Sequence, residues 1–231
     1  MLDRLRPLSY IAACILIAGC VRKPGPLVPT ALAPADRESA VAWARATLPL
    51  RQTAIRFRWR FQDQRVSYAG RGLTRIGPPD SLRFDYAGPL GLGAGAVVVL
   101  GDSVAWAEPA ASFRSLVPAI PMLWAALGMV RPPAAEAMVY GRVDGTRRLW
   151  RFVQGGDTLA YLATAGAPRT LEAEWRRGGS VVARSRTEFD AHAMPASARI
   201  DFPEGPARFE LTVVAVDTLA VIAPALWRGR R

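Results

Sequence analysis

Ala54-Ile55-Arg56-Phe57-Arg58-Trp59-Arg60-Phe61 decides the fold class of this chain. Apolar and aromatic side chains alternate strictly with arginine. An extended segment with this pattern has one wholly apolar face and one wholly cationic face. A period of two marks a β-strand with one dry and one wet side, and such strands belong to antiparallel sheets. Asp63-Gln64 reads as a turn. Beyond it, Val66, Tyr68, Gly70, Gly72 and Thr74 continue as a second strand, whose glycines imply a bend or bulge. Leu82, Phe84 and Tyr86 form a third strand after Gly77-Pro78-Pro79-Asp80.

Further along, Gly88-Pro89-Leu90-Gly91-Leu92-Gly93-Ala94-Gly95 is an apolar, glycine-rich loop. Ala96 to Leu100 and Ser103 to Ala107 read as strands joined by a tight Gly101-Asp102 turn. Residues 112–130 switch to helical composition, with Leu116, Ile120, Leu123 and Trp124 apolar and Arg114 the charged exception. Pro118 and Pro121 should break or kink that segment. A helix apolar nearly all round must be covered on most sides. Seven more strand-length segments run from Met138 to Val216, divided by turns such as Asp144-Gly145, Gly155-Gly156-Asp157 and Gly178-Gly179. The whole predicts a mainly β (α+β) antiparallel meander of about eleven strands. Towards the N-terminus, Asp36 reads as the cap of a helix from Arg37 to Leu48. Pro24, Pro26, Pro29 and Pro34 mark an extended tether before it.

The first residues have a different character. Arg4 and Arg6 precede a short apolar run that ends Leu16-Ile17-Ala18-Gly19-Cys20. Charged start, apolar core and small residues make a secretory signal. Ala-Gly directly before cysteine looks like a bacterial lipobox, with residues 1–19 removed and Cys20 lipidated. The expected organisation is therefore signal 1–19, lipidated cysteine and tether 20–35, and one domain over 36–231. Cys14 and Cys20 are the two cysteines, so the mature body keeps no thiol for a disulfide or metal. The formal charge of +11 is almost all arginine. Export makes nucleic acid an unsuitable partner, which leaves an anionic membrane surface or an acidic protein.

Catalytic patterns are poorly represented. Gly91-Leu92-Gly93-Ala94-Gly95-Ala96 has the spacing of a dinucleotide loop but precedes a strand where that loop needs a helix. Gly101-Asp102-Ser103 matches the nucleophile block of one esterase family, yet the single histidine, His192, lacks the accompanying D-x-x-H spacing. One histidine and scattered carboxylates exclude a metal site. Glu172 and Glu174 read as solvated partners of nearby arginines. No cofactor is expected, and the chain reads as a non-enzyme. Its abundant apolar surface either seals as a core or leaves a groove for an apolar ligand. An acyl chain of about 16 carbons, such as palmitate, gains about 12 kcal/mol on leaving water, at about 0.8 per methylene. An ester hydrolase is the weakest alternative.

Three motifs then carry a family resemblance: Gly88-Pro89-Leu90-Gly91 after the third strand, Ile120-Pro121-Met122-Leu123-Trp124 with Leu127-Gly128-Met129 in the helical insert, and Met194-Pro195-Ala196 before the last strands. In order and interval they resemble the LolB and LolA proteins of bacterial lipoprotein localisation. The resemblance implies a strongly curved half-barrel closed by a helical lid. It implies a cavity lined by Phe57, Trp59, Phe61, Tyr68, Leu82, Phe84, Tyr86, Trp106, Leu116, Ile120, Leu123 and Trp124. It places a membrane-insertion residue at Leu90, with Leu92 beside it. By the same resemblance the expected protein is a monomer, anchored by Cys20 in the outer membrane and facing the periplasm. There it would accept lipoprotein acyl chains from a LolA-like carrier and pass them to membrane lipids. The competing expectation is a structural or assembly lipoprotein of the same fold with a filled core. The glycine-rich loop and the Arg56/Arg58/Arg60 face depart from the family pattern.

Overall fold

The computed structural model describes residues 25–89, 93–110, 119–219 and 221–227. Its strands are β1 Thr53–Gln62, β2 Ser67–Gly77, β3 Ser81–Ala87, β4 Gly95–Leu100, β5 Ser103–Glu108, β6 Met138–Asp144, β7 Arg147–Gln154, β8 Asp157–Thr164, β9 Thr170–Arg177, β10 Ser180–Phe189, β11 Pro195–Phe202 and β12 Ala207–Thr218. Two helices accompany them, α1 Arg37–Ala46 and α2 Ile120–Ala126, with a short 3-10 turn over Pro224–Trp227. The twelve strands form one open, curved antiparallel sheet in the order β5-β4-β3-β2-β1-β12-β11-β10-β9-β8-β7-β6. Among the described residues the count is twelve.

β1, the strand legible first, lies near the middle of the sheet, paired with β2 and β12. Phe57, Trp59 and Phe61 are buried on the inner face, and Arg56, Arg58 and Arg60 point outward. Curvature comes from glycines set opposite rings. Phe57 pairs with Gly72 and Trp59 with Gly70; Tyr86 pairs with Gly95 and Trp150 with Gly141. Each ring lies over its partner so closely that a Cβ at Gly72 would sit 2.2 Å from the Phe57 ring and one at Gly141 2.6 Å from Trp150. The missing side chains let the rings fold down and the strands bend around them.

Both helices sit on the inner face. Asp36 caps α1, its carboxylate accepting from the Ser39 N–H and hydroxyl, both at 2.7 Å. The buried side of α1 presents Trp43, which stacks on Trp150 at 6.1 Å and meets Tyr161 edge-on. α2 lies in the described part of the expected insert, whose residues 112–118 are outside the described residues, and it has Pro121 in its first turn, where the missing N–H costs nothing. Gly128, at φ +82°, ends it. The Gly128 N–H bonds to the Ala125 carbonyl and the Met129 N–H to the Trp124 carbonyl, a Schellman cap. A helix without charge is buried on every side here: Met122, Leu123, Trp124 and Ala125 have no exposed surface. Its packing partners are β9, β10 and β11.

Residues 25–35 correct the expected tether. They lie along the outer face of the sheet rather than standing free. Val28 and Leu32 are buried against Leu149, Ala160 and Leu162. Arg151 donates to the carbonyls of Pro29 and Thr30. Ala35 and Ala33 bond along the edge of β6, which covers an otherwise open strand edge. Glu174, expected in solvent, is the buried anchor of this strap. It accepts from Arg176 Nε at 2.6 Å, Arg184 Nε at 2.6 Å and the Leu27 N–H at 3.2 Å.

Candidate functional site

Of the residues expected to line a cavity, Phe57, Trp59, Phe61, Leu82, Phe84, Tyr86, Leu123 and Trp124 are buried together on the inner face, where they seal one another. Phe57, Phe84, Tyr86, Trp59 and Phe209 form a continuous ring cluster with centroid spacings from 5.1 to 6.3 Å. Phe61 and Leu82 are buried in the same core, and Leu123 and Trp124 enter it from α2. Tyr68 shares the face but is half exposed near the start of β2. Offset and edge-on ring pairs of this kind add about 0.5–1.5 kcal/mol each beyond area burial.

Trp106 is a correction. β5 shifts register against β4 between Val98 and Val99, so Trp106 pairs with Val98 on the outer face. There the Arg83 guanidinium lies over its ring at 5.3 Å, and its indole N–H donates to the Trp227 carbonyl. Arg83 also donates to the Leu226 carbonyl at 2.6 Å. The C-terminal turn is therefore a second strap on the outer face.

Space remains at the α2 N-terminal side. A pocket of about 340 Å³ opens there, with Ile120, Pro121, Phe152, Leu159 and Trp175 as its apolar walls and Asp102, Arg131 and Asp157 among its polar groups. Of the expected cavity residues, Ile120 is the one that reaches it. Phe152, Leu159 and Trp175 were missed; Trp175 continues the alternation of Leu171 and Ala173 in β9, whereas Leu159 opens an unbroken apolar run in β8. The rim is held rigidly. Arg131 Nε bonds Asp102 Oδ1 at 2.9 Å, the guanidinium stacks over Trp124 at 5.1 Å, and the Trp124 indole N–H donates to the Gly101 carbonyl at 2.9 Å. This latch ties the β4–β5 turn to α2. Behind it, the Arg131 N–H donates to the Tyr161 hydroxyl, and burial pushes that phenol well above its ordinary range. It stays neutral at any physiological pH.

The remaining expectations are placed as follows. Ser103 begins the edge strand β5, His192 lies in the β10–β11 turn, and no hydrogen bond joins them among the described residues. No group of three or more His, Cys, Asp or Glu suited to a metal occurs among the described residues. None of their helices is long and apolar enough to cross a membrane. Cys20, Leu90, Leu92 and Leu116 lie outside the described residues. Of the cationic strand face, Arg56 pairs with Asp217 at 2.9 Å. Arg58 and Arg60 form no ion pair among the described residues.

Comparison with known proteins identifies the architecture. No family model matches the sequence, and no curated protein matches it. Solved structures do match. A LolA superfamily protein from Nitrosomonas europaea superposes with a TM-score of 0.58 at 12% identity, over 84% of this chain and 98% of that one. A putative outer membrane lipoprotein-sorting protein domain from Vibrio parahaemolyticus gives 0.52 at 8% identity, over 82% of this chain and 97% of that one. At such identities the likeness establishes a shared fold.

Proposed function

From a LolA-like fold, we propose that this chain is a membrane-anchored acceptor of acyl chains, acting like LolB in passing lipoproteins to the outer membrane. Cys20 would be the anchor, Leu90 and Leu92 the loop that enters the membrane, and α2 with the preceding insert the lid. The observation that carries the reading is the apolar pocket of Ile120, Pro121, Phe152, Leu159 and Trp175 beside a helix whose every side is apolar. The charged groups that line it, Asp102, Arg131 and Asp157, are each held in an ion pair, and α2 can be exchanged for hydrocarbon with little change in polarity. The work is transfer, and no covalent step is part of it. A cationic body suits an anionic membrane surface.

A second reading rests on one observation: the aromatic strand face and α2 bury one another almost completely. It makes the protein a structural or assembly lipoprotein with a filled core. Full-length protein carrying Cys20→Ser, stripped of lipid and then offered a triacylated lipopeptide, separates the two. Stoichiometric uptake supports the acceptor. A lipid-free protein that cannot be loaded leaves the structural reading standing.

A further inference from the structure

A second pocket, of about 450 Å³, lies at the end of the sheet away from the β3–β4 loop, where the β6–β7, β8–β9 and β10–β11 turns meet the C-terminus of α1. Arg147, Arg148 and Arg169 line it, and no aspartate or glutamate does. None of the three forms an ion pair among the described residues. Elsewhere on this sheet three pairs of arginines are each neutralised by a shared carboxylate, Arg75 and Arg83 by Asp85, Arg176 and Arg184 by Glu174, Arg199 and Arg208 by Asp201, while Arg58 and Arg60, unpaired among the described residues, lie on the open outer face. The pocket breaks that pattern in a concave place, where like charges repel and an anion relieves them.

Its cations are also positioned in advance. The Arg148 guanidinium lies over the Trp43 ring at 5.9 Å and that of Arg169 over Phe189 at 5.3 Å, which fixes two planar donor forks. The loops carrying them are tied by backbone bonds, Ala165 N–H to the Thr146 carbonyl at 2.8 Å and Phe189 N–H to the Arg169 carbonyl at 3.1 Å. Ala193, the one non-glycine residue with positive φ among the described residues, also lines the pocket. A side chain held in the left-handed region marks a place that the surrounding structure over-determines.

We propose that this pocket binds a phosphate group. Planar guanidinium forks bind the oxygens of a phosphate group, monoester or diester, bidentately, and the volume is that of a small-ligand site. The source is a phospholipid headgroup or a soluble phosphate. The site stands on residues separate from the apolar pocket and does not depend on it.

The test titrates full-length protein with inorganic phosphate and with dihexanoyl phosphatidylglycerol, a monomeric short-chain lipid. Binding should fall on the order of 10-fold in an Arg148→Gln/Arg169→Gln variant, as two charge-assisted contacts are lost. It should hold within about 2-fold in an Arg58→Gln/Arg71→Gln control, which removes the same charge from the outer face. Equal affinity for both probes assigns the site to free phosphate, and a clear preference for the lipid assigns it to a headgroup. Absence of binding by either probe overturns the proposal, as does an equal loss in the outer-face control. Arg148 and Arg169 are solvent-exposed, so a matching melting curve verifies that the variant is folded. Failure here leaves lipopeptide uptake untouched, so the two proposals fail separately.

Discussion

Gly72 is the residue on which the curvature is most easily tested. Its hypothetical Cβ meets two carbons of the Phe57 ring at 2.2 Å and the Asp85 carbonyl at 3.0 Å. Gly72→Ala must therefore lift Phe57 off the sheet, at a cost of about 1–3 kcal/mol, the usual range for overpacking. Gly156→Ala is the control, because nothing lies within 4 Å of that position; it should change stability by about 0.5 kcal/mol or less. Equal effects in denaturant melts would disprove the ring-over-glycine account. At this scale the sequence was informative about which face β1 buries and silent about why β2 carries glycine. The reason lies in a cross-strand pairing, Phe57 with Gly72, that no local window contains. Trp106 was misassigned for a similar reason. One register shift against β4 reverses the face of every side chain beyond it.

Among the elements, the strap of residues 25–35 departs furthest from its reading. Its prolines are local signals, whereas its docking depends on Glu174, 147 residues away from Leu27. A buried carboxylate shared by two arginines and a backbone N–H loses most when one member is removed. Glu174→Gln should cost about 3 kcal/mol, the low end for a buried pair because both arginines keep some solvent. It should also expose residues 25–35 to limited proteolysis, and unchanged protease resistance would refute the anchoring role. α1 makes a second prediction. Hydrogen bonds from the Ser39 hydroxyl and N–H hold the Asp36 carboxyl below its ordinary value of 3.8. A carboxyl lowered on folding contributes fully above that value and loses its contribution as pH falls through its folded pKa. Asp36→Ala should therefore lower the melting temperature at pH 7, and by progressively less as pH falls through the folded pKa. An equal drop at every pH would mean that the carboxylate is not the stabilising form.

At the scale of the whole molecule, the antiparallel meander was legible because strand-length segments recur regularly and most are separated by turns rich in glycine, proline or aspartate. The described part of the expected helical insert was legible in its apolarity. Pro121 set its start within the described residues and Gly128 its end. What no sequence pattern discloses is that α2 packs into the inner face rather than merely covering it, since that depends on how far the sheet curves. The pocket at Ile120, Phe152, Leu159 and Trp175 is what remains open. If the molecule delivers acyl chains, uptake and membrane release should separate. Leu90→Glu, in the Gly-Pro-Leu-Gly loop, should leave lipopeptide uptake intact and abolish its transfer to phospholipid vesicles. Transfer at the normal rate would remove Leu90 from the account.

The central claim is that hydrocarbon enters the inner face beside α2. Its most direct test is photo-crosslinking with a lipopeptide whose acyl chain carries a diazirine, followed by peptide mapping. The account predicts adducts on the peptides containing Ile120, Phe152, Leu159 and Trp175. Adducts confined to the outer face, or none at all from a loaded mixture, would contradict it.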